Sequence, residues 1–209
     1  MLPDFILLLI ATIVFAVIVV GYIGWRFDGA AAISFFIISG GFPAIMDYIS
    51  AFAIHNYEYP GQSRLWVFSF ILFGWTSMCG SCLFLSEGIL ARRELDLITQ
   101  KNLLWQAPLL TGVVAVVMDL FIDPIAVAAR YWIWFVKGTI YYDIPLLNFV
   151  GWFVLMFLSS LAWIIVIRRQ QWGFVKKIIG SIAAIVPLIV SSAILSIFLN
   201  HLIAVFGWE

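Results

Sequence analysis

Asp119 and Asp123 stand four residues apart near the end of an apolar run, and Asp47 takes a similar place in an earlier one. A charged side chain at bilayer depth costs roughly 2.5–3.5 kcal/mol on insertion scales, so each acid needs water, a partner or a chemical task. Arg130, Tyr131, Trp132, Trp134, Tyr141, Tyr142, Asn148 and Trp152 follow, adding a cation, an amide and several π faces to the stretch from Met118 to Trp152. The rings can form a binding surface for a rigid apolar molecule, with π faces available to a cation.

The elements that carry these residues follow from composition. The chain has 209 residues, 65% of them hydrophobic and 11% charged, with mean hydropathy +1.12. That usage lies far outside soluble domains and requires long segments that face lipid. About twenty apolar residues cross the hydrocarbon core. Six runs qualify: Phe5–Gly24, Ala30–Ile54, Leu65–Leu90, Leu103–Ile122, Leu147–Ile167 and Ile178–Phe206. They predict an all-α polytopic bundle forming one transmembrane domain over residues 1–209. The first run has no Lys or Arg before it and exceeds a signal-peptide core, so it reads as a retained helix. Asp123 before Pro124 is a standard helix start, with Asp capping and Pro at the first position. It predicts a short interfacial or re-entrant helix over about 124–136.

Basic residues set orientation, since cytoplasmic connections hold their excess. Arg26, Arg92, Arg93, Lys101, Arg168, Arg169, Lys176 and Lys177 fall on one side, and Arg64, Arg130 and Lys137 on the other. A multi-pass protein of the cell membrane with both termini extracytoplasmic is expected. The formal net charge is zero, and basic residues at helix ends serve as anchors, so no nucleic-acid footprint is present. Membrane lipids and a lipophilic substrate are the expected partners.

Structural readings stand beside the chemical ones. Asp123 can be a cap alone and Asp119 a partner of Arg130, while Tyr and Trp concentrate at any membrane interface. Cys79-Gly-Ser-Cys82 lies mid-span without a second thiol pair and reads as close helix packing. His55 and His201 sit near outer helix ends, and no spacing of His, Cys and carboxylates suggests a metal site, so neither metal nor cofactor is expected. The order Met46-Asp47, Tyr57-Glu58-Tyr59-Pro60, Gly74-Trp75 is repeated as Met118-Asp119, Tyr141-Tyr142-Asp143-Ile144-Pro145, Gly151-Trp152. It suggests a parallel duplication of about 30–90 and 103–167.

Asp119-Leu-Phe-Ile-Asp123-Pro124, then Tyr131-Trp132-Ile-Trp134, Tyr141-Tyr142 and Pro145-Leu-Leu-Asn148-Phe149-Val-Gly151-Trp152 resemble the signature of the membrane carotenoid biosynthesis proteins of the bisanhydrobacterioruberin hydratase, or C50-carotenoid hydratase, type. Asp47, Tyr57-Glu58-Tyr59 and Trp75 resemble the earlier acid, Tyr-rich turn and tryptophan of that family, with Asp47 in place of Glu and Asp143 in place of Gly. The resemblance implies addition of water to terminal double bonds of a long acyclic carotenoid. Asp119, Asp123 and Asp47 would be its acids and bases. Tyr57, Glu58, Arg130, Tyr131, Trp132, Trp134, Tyr141, Tyr142, Asn148 and Trp152 would bind substrate. Cyclisation or isomerisation of an isoprenoid, a prenyltransferase-like use of Asp119-x-x-x-Asp123, and a non-catalytic transporter or assembly subunit remain as alternatives.

Overall fold

The computed structural model describes residues 3–91, 96–136 and 139–205, and six of its helical segments are long and apolar enough to cross a membrane. Helices are the expected solution, because hydrocarbon offers the backbone no hydrogen bonds and each segment must satisfy its own. The first span is α1 (Pro3–Arg26). The second runs from α2 (Gly29–Phe35) through a π-helical segment, Phe36–Gly41, into α3 (Phe42–Ile49) and a second π segment, Ser50–Ile54. The remaining spans are α4 (Arg64–Ala91), α5 (Leu103–Ala128), α6 (Leu146–Ile167) and α7 (Phe174–Val205). Six crossings match the six apolar runs. Arg92, Arg93, Lys137 and Phe206 lie outside the described residues.

The separate helix expected over 124–136 does not form. Pro124 instead sits inside α5, which continues to Ala128. A proline is tolerated there because a spanning helix in a bundle can re-satisfy the freed backbone group locally. The helix stops by a Schellman motif: Tyr131 N donates to the Ala126 carbonyl at 2.9 Å and Arg130 N to that of Val127 at 3.0 Å, with Arg130 at φ 57°. Asp123 is therefore an interior helical residue and not a cap.

Beyond that stop the chain forms two short ribbons. Strand β1 (Tyr57–Glu58) pairs antiparallel with β2 (Ile133–Trp134), setting Tyr57 opposite Trp134. Strand β3 (Thr139–Tyr141) pairs with β4 (Ile144–Pro145) around Tyr142 and Asp143, at φ 47° and 62°. A type I′ two-residue hairpin loop needs positive φ at both positions, and Asp tolerates this better than most residues other than Gly and Asn.

Helices α5 and α6 pack closely, α1 lies against α4, and α7 lies against α6 and α2. The outer faces of α1 and α7 carry exposed large apolar residues such as Val14, Ile18, Ile182, Val186 and Ile197, as lipid-facing surfaces should. Small residues let the inner helices approach. Cys79 and Cys82 are free, buried thiols, with Cys79 Sγ 3.3 Å from Ser159 Oγ of α6. A Cβ added at Gly112 would lie 2.9 Å from the Phe153 ring and 3.1 Å from the Phe153 carbonyl oxygen.

Gly112→Ala should therefore wedge α5 from α6 and destabilise the protein by about 1–3 kcal/mol through overpacking. Thermal denaturation in detergent measures this, and an unchanged midpoint would contradict the packing described.

Candidate active site

Asp47 lies in α3 between the two π segments of the second span. π segments shift side-chain direction within a helix and recur at functional sites. The Asp47 carboxylate draws donors from two elements. Tyr57 Oη of β1 donates a short hydrogen bond to Oδ1, Tyr59 Oη donates to the same oxygen at 3.3 Å, and Trp75 Nε1 of α4 donates to Oδ2 at 2.8 Å. Tyr57 and Tyr59 are themselves buried.

Asp119 and Asp123 occupy successive turns of α5 and are almost fully buried, at 0% and 2% exposure. Spacing of four residues puts them on one helix face. Asn148, in the first turn of α6, donates its side-chain amide to Asp119 Oδ2 at 2.6 Å and to Asp123 Oδ2 at 2.7 Å. The two carboxyl groups are also within hydrogen-bonding reach of each other. Asp119 Oδ1 is buried with no partner, as is Trp134 Nε1. A buried acceptor left open carries a desolvation cost, which a bound group or a water can relieve.

Aromatic rings surround the donors of Asp47. The Tyr57 ring lies 4.6 Å from that of Trp134 across the β1–β2 ribbon, and Tyr59 lies 6.1 Å from Trp132. Deeper in the bundle Trp75 and Trp152 lie 4.8 Å apart. The Trp75–Trp152 contact joins the helix that donates to Asp47 to the helix whose Asn148 serves Asp119 and Asp123, so the two acid clusters are neighbours. Their parts come from four successive spans and the ribbon above them. All stand toward one end of the bundle.

The chain matches the sequence model for carotenoid biosynthesis proteins over residues 4–207. It belongs to the carotenoid biosynthesis protein family. No curated protein and no solved structure matches it.

In this carotenoid biosynthesis protein the site gathers Asp47, Asp119, Asp123, Asn148, Tyr57, Trp132, Trp134 and Trp152 from the sequence-based set. Others stand apart. Glu58 and Arg130 are exposed, and Tyr131 is half-buried beside the helix stop. Tyr141 and Tyr142 are exposed on the β3–β4 hairpin, where the Tyr141 ring approaches Phe149 at 6.3 Å. Arg130 does not pair with Asp119, whose partner is Asn148; the ion pairs among the described residues are Arg26–Glu87 and Lys177–Asp28. Two donors to Asp47, Tyr59 and Trp75, were not singled out as site residues. The repeated Gly-Trp after each acid marks Trp75, one span away from Asp47, and the Tyr57-Glu58-Tyr59 turn marks Tyr59.

Burial, and then the charge of Asp47, push the Tyr57 and Tyr59 phenols well above their usual value of 10.0. The folded state holds these protons more tightly than the unfolded chain, so this contribution to stability is complete below about pH 10 and falls as pH rises beyond it. In an alkaline absorbance titration, two of the seven tyrosines should ionise only as the protein unfolds; ordinary titration of all seven would refute the burial. Trp75→Phe should cost about 1–3 kcal/mol by leaving Asp47 Oδ2 without its donor, read as a lower melting temperature in detergent.

Proposed function

We propose that this protein hydrates terminal double bonds of a long acyclic carotenoid, C50 or C40. The observation that carries the reading is a buried pair of carboxyl groups bridged by Asn148, inside a membrane bundle of the carotenoid biosynthesis family. An isolated alkene is a poor base and needs a strong, well-placed acid. Two carboxyl groups in contact away from water share a proton, because ionising both side by side is unfavourable.

Asp119 gives its proton to the hydrogen-bearing carbon of a trisubstituted terminal double bond. The π electrons form the new C–H bond and leave a tertiary cation on the other carbon. A water oxygen bonds to that carbon, and Asp123 takes the proton the water loses. One proton has moved from Asp119 to Asp123 and returns through their contact, so the pair is restored and the net change is addition of one water. Asn148 orients both carboxyl groups, and Asp47, held by three donors, supplies fixed negative charge opposite. The faces of Tyr57, Trp75, Trp134 and Trp152 stabilise the cation, each by about 2 kcal/mol when desolvated.

Substrate reaches Asp119 by parting the β1–β2 ribbon, which is held by only two residue pairs. Arg130, Tyr131, Glu58, Tyr141 and Tyr142 meet it on entry. The acids face outward across the cell membrane, with both termini on that side, because Arg26, Lys101, Arg168, Arg169, Lys176 and Lys177 collect at the opposite end. On the same reading, 30–90 and 103–167 are duplicated halves; the support is that each acid-bearing span accepts a hydrogen bond from the span after it.

Complete burial of Asp119 favours a second reading, in which water is kept out and the cation loses a proton or closes a ring. Product mass separates them. Cells making an acyclic C50 or C40 polyene should, on gaining this protein, accumulate a product heavier by one water before a doubly hydrated one. Asp119→Asn should lower that conversion by about 10²–10⁴-fold, the usual worth of a general acid. A product of unchanged mass but altered absorbance would replace hydration with isomerisation or cyclisation, and an unaltered carotenoid profile would remove both.

A further inference from the structure

At the end of the bundle opposite the acids, the start of α2, the end of α6 and the start of α7 line a half-open cavity of about 340 Å³. Phe27, Ala31 and Ile167 give it apolar walls, and Asp28, Gln170 and Lys177 provide its polar groups. Lys177 Nζ donates to Asp28 Oδ2 at 3.0 Å, so the one cation among the lining residues is already neutralised. A phosphate or diphosphate would find no unpaired positive charge there. A neutral hydroxyl on an apolar stem finds what it needs: an acceptor in the half-exposed Asp28 carboxylate and donors in Lys177 and Gln170.

Spacing connects this cavity to the acids. Asn148 bridges the carboxyl pair at one end of α6, and Ile167 lines the cavity at the other. At 1.5 Å per residue they are roughly 28 Å apart, close to the ~30 Å hydrocarbon core that an extended polyene traverses. A substrate with one terminus at Asp119 places its other terminus near Asp28, Gln170 and Lys177.

We propose that the cavity at Asp28, Gln170 and Lys177 is a docking site for the far terminus of the substrate, and that it recognises the tertiary alcohol made in a first hydration while the second end reacts. The inference rests on the hydratase reading. It makes the two hydrations unequal: the first brings an apolar terminus to the cavity and gains only contact, whereas the second brings a hydroxyl and gains hydrogen bonds.

The test supplies purified protein in lipid vesicles with either the unmodified polyene or the once-hydrated polyene, and follows the addition of water to each. Gln170→Leu removes one polar group, and Lys177→Met removes the other donor. Lys176→Gln serves as control, because Lys176 lies over the Trp172 ring and does not line the cavity. Expected is a loss of about fivefold to tenfold on the once-hydrated substrate, in keeping with one lost hydrogen bond. The rate on the unmodified polyene should stay within about twofold, and the control should match wild type. Equal losses on both substrates in both variants would mark a structural role and overturn the proposal. So would unchanged rates, or a wild type that hydrates the polyene but leaves the once-hydrated form untouched; each of these leaves the hydratase reading intact. A wild type inactive on both substrates sinks that reading and the docking site with it.

Discussion

A carboxyl group buried among lipid-soluble helices must be given hydrogen-bond donors by the protein, and in this chain that requirement ties four spans together. Asp47 of the second span takes its donors from Tyr57, Tyr59 and Trp75; Asp119 and Asp123 of the fourth take theirs from Asn148 of the fifth. Each of these bonds runs between elements and so fixes one against another. The low dielectric that makes an unpaired acid costly also makes each satisfied bond strong. Removing a donor therefore disturbs helix positions together with the charge it served.

Close helix approach makes those bonds possible. Gly112 sits against the ring and carbonyl of Phe153 and holds α5 near enough to α6 for one amide to reach two carboxyl groups. The π segments on either side of α3 set the direction in which Asp47 leaves the second span. The Schellman stop at Arg130 then turns the chain into the ribbon that lays Trp134 over Tyr57. Packing, helix irregularity and helix termination each help to bring the acids, their donors and the rings together.

The opposite end of the bundle handles charge in another way. Arg26 and Glu87 form a buried two-point pair, with nitrogen to oxygen distances of 2.6 and 2.9 Å, and the guanidinium lies 4.9 Å from the centre of the Phe27 ring. Lys177 pairs with Asp28, which also caps α2 by accepting from Ala31 N at 2.6 Å. Glu87 and Asp28 at this end are matched to cations, whereas Asp47, Asp119 and Asp123 at the first end are matched to neutral donors. That contrast leaves the acids of one end without a cation among the described residues and sets a paired Lys177 and Asp28 beside the polar pocket at the other.

Much of this architecture was legible in the linear chain. Six apolar runs of spanning length became six spanning helices, since hydrocarbon admits little else, and the acids, Asn148 and the aromatic residues stood out because polar groups at such depth need a reason. The expected helix after Pro124 did not form: Asp-Pro is a genuine start signal, but a spanning helix can absorb a proline, and the real stop used Arg130 in a conformation that its side chain does not announce. Arg130 looked like the partner of Asp119 because opposite charges near in sequence invite pairing; the turn carried it to the surface and Asn148, in the next helix, took the place. Sequence by itself determined the class, the number of crossings and the cast of polar residues, because those follow from the cost of burying each group in lipid. Only the tertiary structure decided which donor faces which acid and how the ribbon covers them, because contacts between helices depend on their rotation, depth and closeness, which local pattern leaves open.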